Sequence, residues 1–339
     1  MGLFDFIQFL RLPVFRWIQV EVSSFCNADC IYCPHSIYKD NWVERLMSLE
    51  TYRKLIPAFQ KTKLVYLQGW GEPFLNPHFF EMASIAKKAG CRVGTSTNGM
   101  LLDSEKIKQL LDSGINLIAF SLAGTGPQND LTRRGTRLDT VLDNINEIND
   151  LKKRYGRAVP AVHIAYLLLK SGLDEIKKLP DLVRGQGIDQ VVISTLDFVP
   201  SDDLANEAII PRDKAEYDEI TGHLDNIVRR AAKYNVEVHY GLVRPGHRRF
   251  ICTENVDHSL FVSSDGEISP CVFTNIPVDT KQGIIAGGNM SYKKTTFGNI
   301  RNRSLSAIWR SSEYKDFRDS FASMKAKQCC SNCAKLMIG

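Results

Sequence analysis

Apolar positions in the first two-thirds of this chain follow two alternating patterns. Short, nearly unbroken apolar runs predict strands over 17–22, 64–68, 92–97, 117–122, 162–168 and 190–196. Between them, apolar residues recur every three or four positions, the period of a helix with one buried face. Phe79, Phe80, Ala83, Ile85 and Ala86 share such a face within 77–89. Ile107, Leu110 and Leu111 do so within 104–113, and Val141, Leu142, Ile145, Ile148 and Leu151 within 138–155. Helices are also expected over 48–59, 173–184 and 212–233. Asp103 or Ser104 is placed to cap one helix, and Gly90 and Gly114 to end two others.

Six β-then-α units predict an α/β protein with a parallel sheet and right-handed crossovers. The strands are apolar with little alternation, as expected when both faces are covered. Six units are too few to close an eight-fold barrel. The expectation is therefore a partial, TIM-like (β/α)6 barrel with a wide mouth and its chemistry at the C-terminal strand ends. An edge strand over 236–240 closes the alternation. Beyond it, 241–339 reads as loop-rich with little core. It holds one hairpin signal, 260–263, then Ser264-Asp265-Gly266, then 267–269. A region so poor in core needs a staple such as a metal. The expected organisation is an apolar N-terminal extension at 1–16, a barrel core at 17–240 and a small C-terminal domain at 241–339. Leu3, Phe4, Phe6, Ile7, Phe9 and Leu10 are expected to pack the extension against the core.

Composition narrows the function. A chain of 339 residues, 44% apolar, can bury a full core. A net charge of +5 with no block of five like charges argues against a nucleic-acid surface. The basic cluster Arg244, His247, Arg248 and Arg249 is local. No signal peptide and no transmembrane run are read, so a cytoplasmic location is expected. Nine cysteines in a reducing compartment, at tight spacings, point to metal rather than disulfides.

Cys26, Cys30 and Cys33 form C-x3-C-x2-C directly after the first strand. Three thiolates on one loop suit three irons of a [4Fe–4S] cluster and leave the fourth iron open to a small molecule. A zinc loop is the alternative. The second strand ends in Gln68-Gly69-Trp70-Gly71-Glu72-Pro73, where glycine admits close backbone approach to a ligand. The third ends in Thr97-Asn98-Gly99 and the fourth in Ser121-Leu122-Ala123-Gly124, with Arg133-Arg134-Gly135 following.

On these motifs the chain resembles a radical S-adenosylmethionine (SAM) enzyme over nearly its whole length. The resemblance implies a cluster on Cys26, Cys30 and Cys33, with SAM on the free iron. The reduced cluster would cleave SAM to a 5′-deoxyadenosyl radical that takes hydrogen from a substrate C–H. Tyr32 matches the family's aromatic beside the adenine. Gly69, Gly71, Glu72 and Pro73 match its GGEP motif, with Trp70 replacing a glycine. Glu72 would order the loop or receive the SAM ammonium. Thr97 and Asn98 match a TNG signature, and Ser121 would reach the SAM ribose or carboxylate. Ala123 departs from the family's Ser-Leu-Asp-Gly. Of the two arginines, Arg134 is the expected partner of the SAM carboxylate.

A second set, Cys252-x13-Gly266-x4-Cys271 with Cys330-x2-Cys333, resembles the SPASM/Twitch auxiliary-cluster domain. The resemblance implies one auxiliary [4Fe–4S] cluster, with a zinc site as the alternative. Cys329 would replace Cys330 as a ligand or act as a free thiol that donates hydrogen. Cys91 reads as a small buried residue. His35 and Asp197 are candidates for facing the substrate, Asp197 as a proton-accepting carboxylate.

The resemblance further implies a one-electron reductant such as flavodoxin or ferredoxin. Few residues precede the first cysteine, which favours a small-molecule substrate over a peptide. The expected reaction is a dehydrogenation with the auxiliary cluster as electron acceptor. The alternatives are a peptide or protein maturase, and a redox-neutral epimerase or C–C bond-forming enzyme. A reading from another class is an iron–sulfur electron carrier or a zinc-stabilised binding module. SAM binding separates it from the rest.

Overall fold

The computed structural model describes residues 13–247, 251–278, 284–286, 290–330 and 333–338. The apolar positions Leu3 to Leu10 and the basic pair Arg248 and Arg249 lie outside these residues. Six parallel strands run in chain order across one sheet: β1 (Phe15–Val20), β2 (Thr62–Leu67), β3 (Arg92–Thr97), β4 (Leu117–Leu122), β5 (Ala161–Leu167) and β6 (Gln190–Ser194). This is the open (β/α)6 barrel that the sequence predicts. β7 (Glu237–Tyr240) extends it parallel to β6, as the expected edge strand.

The other edge was not legible in the sequence. β8 (Ser259–Val262) pairs parallel with β1, and β9 (Ile268–Ser269) returns antiparallel to β8. The nine strands thus lie in the order β9-β8-β1-β2-β3-β4-β5-β6-β7. The predicted hairpin forms, and Gly266 takes φ +88° at its turn, a conformation few side-chain-bearing residues adopt. Its first strand continues the barrel sheet across the expected boundary at 240/241.

Nor is the C-terminal third poor in core. The helix Ser312–Ala322 buries Tyr314, Phe317 and Phe321. Phe297 stacks on Tyr314 at 4.1 Å, and Trp309 meets Phe15 of β1 edge-on at 5.0 Å. These residues belong to the same apolar core as the barrel strands.

Two expected helices are broken, each at a proline. The segment 48–59 divides into Leu49–Arg53 and Ile56–Phe59, with Pro57 in the first turn of the second. The segment 173–184 divides into a 3-10 turn, Glu175–Lys178, and Leu179–Val183, which carries Pro180 at its start. Proline has no N–H for the helical bond and clashes with the preceding turn. Other expectations hold closely. Asp103 is the cap of Ser104–Ser113, accepting from the Lys106 N–H at 2.8 Å, and Gly114 ends that helix at φ +66°.

The longest helix, Lys214–Ala232, buries Ile220, Leu224, Ile227 and Ala231 and exposes Gly222. A Cβ at Gly222 would meet nothing within 4 Å. Gly222→Ala is therefore expected to raise the unfolding free energy by about 0.5–1 kcal/mol, read as a higher urea midpoint.

Candidate active site

A cavity of about 270 Å³ opens at the C-terminal ends of the barrel strands. Cys26, Cys30 and Cys33 line it, together with Tyr32, Gly69, Gly71, Glu72, Thr97, Asn98 and Ser121. Ten sequence-predicted site residues thus share one wall system.

The cysteine loop is held by the loops after three neighbouring strands. From the β2 loop, the Glu72 N–H donates to Phe25 O at 2.7 Å. From the β3 loop, Asn98 Nδ2 donates to Asn27 Oδ1 at 2.8 Å. After β4, Asp29–Cys30 pairs antiparallel with Arg133–Arg134, and Ile31 N–H donates to Thr132 O at 3.0 Å.

That short pairing corrects the arginine assignment. Residues directly opposite in an antiparallel pair share a face. Arg133 stands opposite Cys30, so it turns into the cavity and is buried. Arg134 stands opposite the exposed Asp29 and faces outward. Arg133 Nη1 donates to the Tyr32 hydroxyl. Its Nε is buried without a partner, as is the Tyr166 hydroxyl on β5, which also lines the cavity. Two orphaned donors beside three thiols suit an anionic, polar ligand.

Glu72 is 2% exposed and saturated from within the protein. Its Oε1 accepts from the Thr97 hydroxyl at 2.8 Å and the Phe74 N–H at 3.3 Å, and its Oε2 from the Asn98 N–H at 2.8 Å. It therefore orders the loops after β2 and β3. Burial holds its carboxyl up near 7 against these bonds. Pro73 is buried and heads a 3-10 turn, away from the cavity lining.

Glu21, at the end of β1, was not singled out in the sequence. It is fully buried, and accepts from the Trp70 N–H at 3.0 Å and the Ser264 N–H at 3.1 Å. Burial raises its carboxyl to about 7, the charge of Asp265 adds to the rise, and the two backbone bonds oppose it. The folded state thus holds the proton more tightly than the unfolded chain. Stability from this group is complete below the ordinary value of 4.5 and is lost as pH rises through about 7. Glu21→Gln is expected to remove a pH-dependent loss on the order of 3 kcal/mol, seen as a flatter urea midpoint between pH 4 and 7.5.

The second cysteine set also gathers. Ionisation of Cys252 or Cys333 would oppose that of Cys271, and ionisation of Cys271 or Cys333 would oppose that of Cys330. Burial raises the Cys252 and Cys33 thiols to about 12 and Cys26 to about 11. Such buried thiols become ligands only where metal charge stabilises the thiolate. Among the described residues, no three His, Cys, Asp or Glu side chains converge on a point that one metal ion would fill. Cys330 is buried, while Cys329 is exposed with its Sγ 3.8 Å from that of Cys330.

Two candidates sit elsewhere. Asp197 is occupied by Lys335, whose Nζ lies 2.8 Å from its Oδ2 and 3.4 Å from Glu254 Oε1. Asp197 thus joins the barrel to the segment after Cys333 and is absent from the cavity lining. His35 packs edge-on against Trp42 at 5.1 Å, also off the cavity. Cys91 is buried and donates to Phe59 O at 3.0 Å.

An open parallel barrel with three cysteines at its strand ends, followed by a second cysteine set, defines an iron–sulfur enzyme with two metal sites. Comparison with known proteins gives the family. A sequence model of the radical SAM superfamily matches residues 20–183, and one for an iron–sulfur cluster-binding SPASM domain matches 252–334. The chain belongs to the radical SAM superfamily and carries a C-terminal SPASM domain. Its cofactors are SAM, a [4Fe–4S] cluster and auxiliary iron–sulfur.

The chain is similar to the tungsten-containing aldehyde ferredoxin oxidoreductase cofactor-modifying protein of Pyrococcus furiosus. They are 26% identical over 312 residues, 89% of this chain and 83% of the relative. It is also similar to the AdoMet-dependent heme synthase of Methanosarcina barkeri, 24% identical over 90% of this chain and 85% of the relative. Among solved structures, SuiB of Streptococcus suis bound to S-adenosylmethionine superposes with a TM-score of 0.67. The identity is 15%, over 97% of this chain and 72% of SuiB. Among the described residues, no helix is long and apolar enough to cross a membrane.

Proposed function

We propose that this enzyme oxidises a small molecule, a precursor or derivative of a cofactor, by removing two hydrogens. The observation that carries the reading is the reach of one side chain. Trp70 lines the SAM cavity, and its indole Nε1 donates to Val272 O and Asn275 O, directly after Cys271. The auxiliary cysteines are therefore neighbours of the cavity, where an electron leaving a substrate radical has a short path. Three relatives matched along most of their length are named for work on a cofactor, on heme and on GTP, which supports a substrate of that size.

Cys26, Cys30 and Cys33 hold the first cluster, and Cys252, Cys271, Cys330 and Cys333 the second. Bound with SAM, the first cluster supplies a 5′-deoxyadenosyl radical. With both groups bound, loss of two hydrogens from the substrate would be one hydrogen atom, one proton and one electron, and Cys252, Cys271, Cys330 and Cys333 would hold the group able to take that electron. A reductant such as flavodoxin or ferredoxin supplies the electron that starts the cycle. Arg133 and Tyr166 bind polar groups of SAM with their free donors. Glu72, Thr97 and Asn98 fix the loops that shape the cavity, and Tyr32 offers its ring beside the cysteines. The auxiliary cysteines belong to the segment 241–339, whose strand β8 joins the barrel sheet, so the two halves of this division of labour share one sheet and one core. Nine free cysteines support a reducing, cytoplasmic setting.

The test is an anaerobic screen of cofactor precursors scored by 5′-deoxyadenosine release and product mass. A product lighter by two hydrogens supports the reading. Unchanged mass with inverted configuration makes the enzyme an epimerase. Turnover on peptides alone makes it a maturase.

A further inference from the structure

Trp70 stands where the family's motif has a small residue, and it is held from two directions. Its backbone N–H donates to Glu21 Oε1 at 3.0 Å, and Glu21 Oε2 accepts the Ser264 N–H of the C-terminal hairpin at 3.1 Å. Its indole N–H is shared between Val272 O at 3.2 Å and Asn275 O at 3.1 Å. Its ring meets Phe273 edge-on, centroids 6.0 Å apart. The 3-10 turn Val272–Thr274 begins on Cys271, so Trp70 grips the residues that orient one auxiliary ligand. On its other side Trp70 lines the cavity between Gly69 and Gly71. A Cβ at Gly69 would lie 2.3 Å from Glu21 Cγ, so the loop backbone rests directly on Glu21. Few rearrangements of the 68–73 loop leave the 271–275 turn untouched.

We propose that Trp70 is a positioning residue that couples the SAM site to the auxiliary cysteine site, so that filling either stabilises the other. A ligand packed against the 68–73 loop holds it more firmly in the arrangement seen here. That arrangement presents the indole N–H to the two carbonyls and orders the turn after Cys271. Linkage makes the effect reciprocal: the factor by which SAM steadies the auxiliary site equals the factor by which that site tightens SAM. The inference rests on family membership and holds for a small-molecule or a peptide substrate.

The test uses the full-length reconstituted enzyme. In wild type, saturating SAM is expected to slow iron release to a chelator from the auxiliary site about fivefold. It should also slow amide exchange over 271–276. Trp70→Phe keeps a ring but removes the indole donor. It is expected to abolish both protections and to weaken SAM binding in equilibrium dialysis. Cys271→Ser, which disrupts the auxiliary site, should weaken SAM binding in wild type and add nothing in the Trp70→Phe background. Additive losses would mean that Trp70 merely touches SAM, and would overturn the coupling. Unchanged exchange over 271–276 on adding SAM to wild type would overturn it without any variant.

Discussion

Replacing Cys26, Cys30 and Cys33 together by alanine is expected to remove about four of about eight irons and to reduce 5′-deoxyadenosine release to background. All three residues line the cavity, on a loop clamped through Phe25 O, Asn27 and Ile31 rather than through the sulfurs themselves. Cys26 and Cys33 are only partly buried, and the loop keeps these backbone and side-chain bonds when the thiols go. The variant should therefore fold, with its auxiliary irons in place. Iron and sulfide analysis after anaerobic reconstitution, beside a circular dichroism melt, checks both parts. Cys91→Ala is the matched control, since that thiol donates to Phe59 O far from either set and should leave the iron count unchanged. Loss of all iron in the triple variant would mean that the second set cannot hold a cluster alone, and would weaken the case for an auxiliary electron acceptor.

What the sequence made legible follows from the range of the signals. The barrel strands announce themselves because each is covered on both faces, so apolar runs mark them without knowledge of their partners. β3 and β4 begin and end where the pattern predicts. Partnership is another matter. Trp17 pairs with Ser259 of β8, and Asp197 with Lys335, across separations that no local pattern encodes. The choice between the two arginines has the same origin. Arg133 and Arg134 are adjacent and chemically alike, and only the register against Asp29–Cys30 decides which one enters the cavity. Glu21 was legible in type but not in meaning, since a glutamate ending an apolar strand looks like a surface residue. The C-terminal core was legible in principle, because Tyr314, Phe317 and Phe321 stand at helical spacing in one short helix.

Gly71→Ala is expected to raise the SAM dissociation constant at least about a hundredfold or to destabilise the fold by several kcal/mol, and the choice between these is informative. An alanine Cβ at this position would lie 2.2 Å from Phe25 O and 2.5 Å from Ser23 O. Both atoms are backbone, so no rotamer change relieves the collision. Either the 69–73 loop lifts, breaking the 2.7 Å bond from the Glu72 N–H to Phe25 O, or the segment leading into Cys26 moves. Each route displaces a wall of the SAM cavity. Gly69→Ala meets Glu21 Cγ at 2.3 Å and Cβ at 2.4 Å; the Cγ can turn away at the expense of the Trp70 and Ser264 bonds, but the Cβ is fixed by its backbone, so here too a loop or the end of β1 must move. Equilibrium dialysis with SAM and urea melts on both variants, with Gly222→Ala as the unhindered reference, rank the three. Loss of stability in both Gly71→Ala and Gly69→Ala, with none in Gly222→Ala, places the need for glycine in the packing of protein against protein. Close approach to the ligand, the reason the motif alone suggests, predicts instead that Gly69→Ala and Gly71→Ala lose SAM affinity alike without loss of stability.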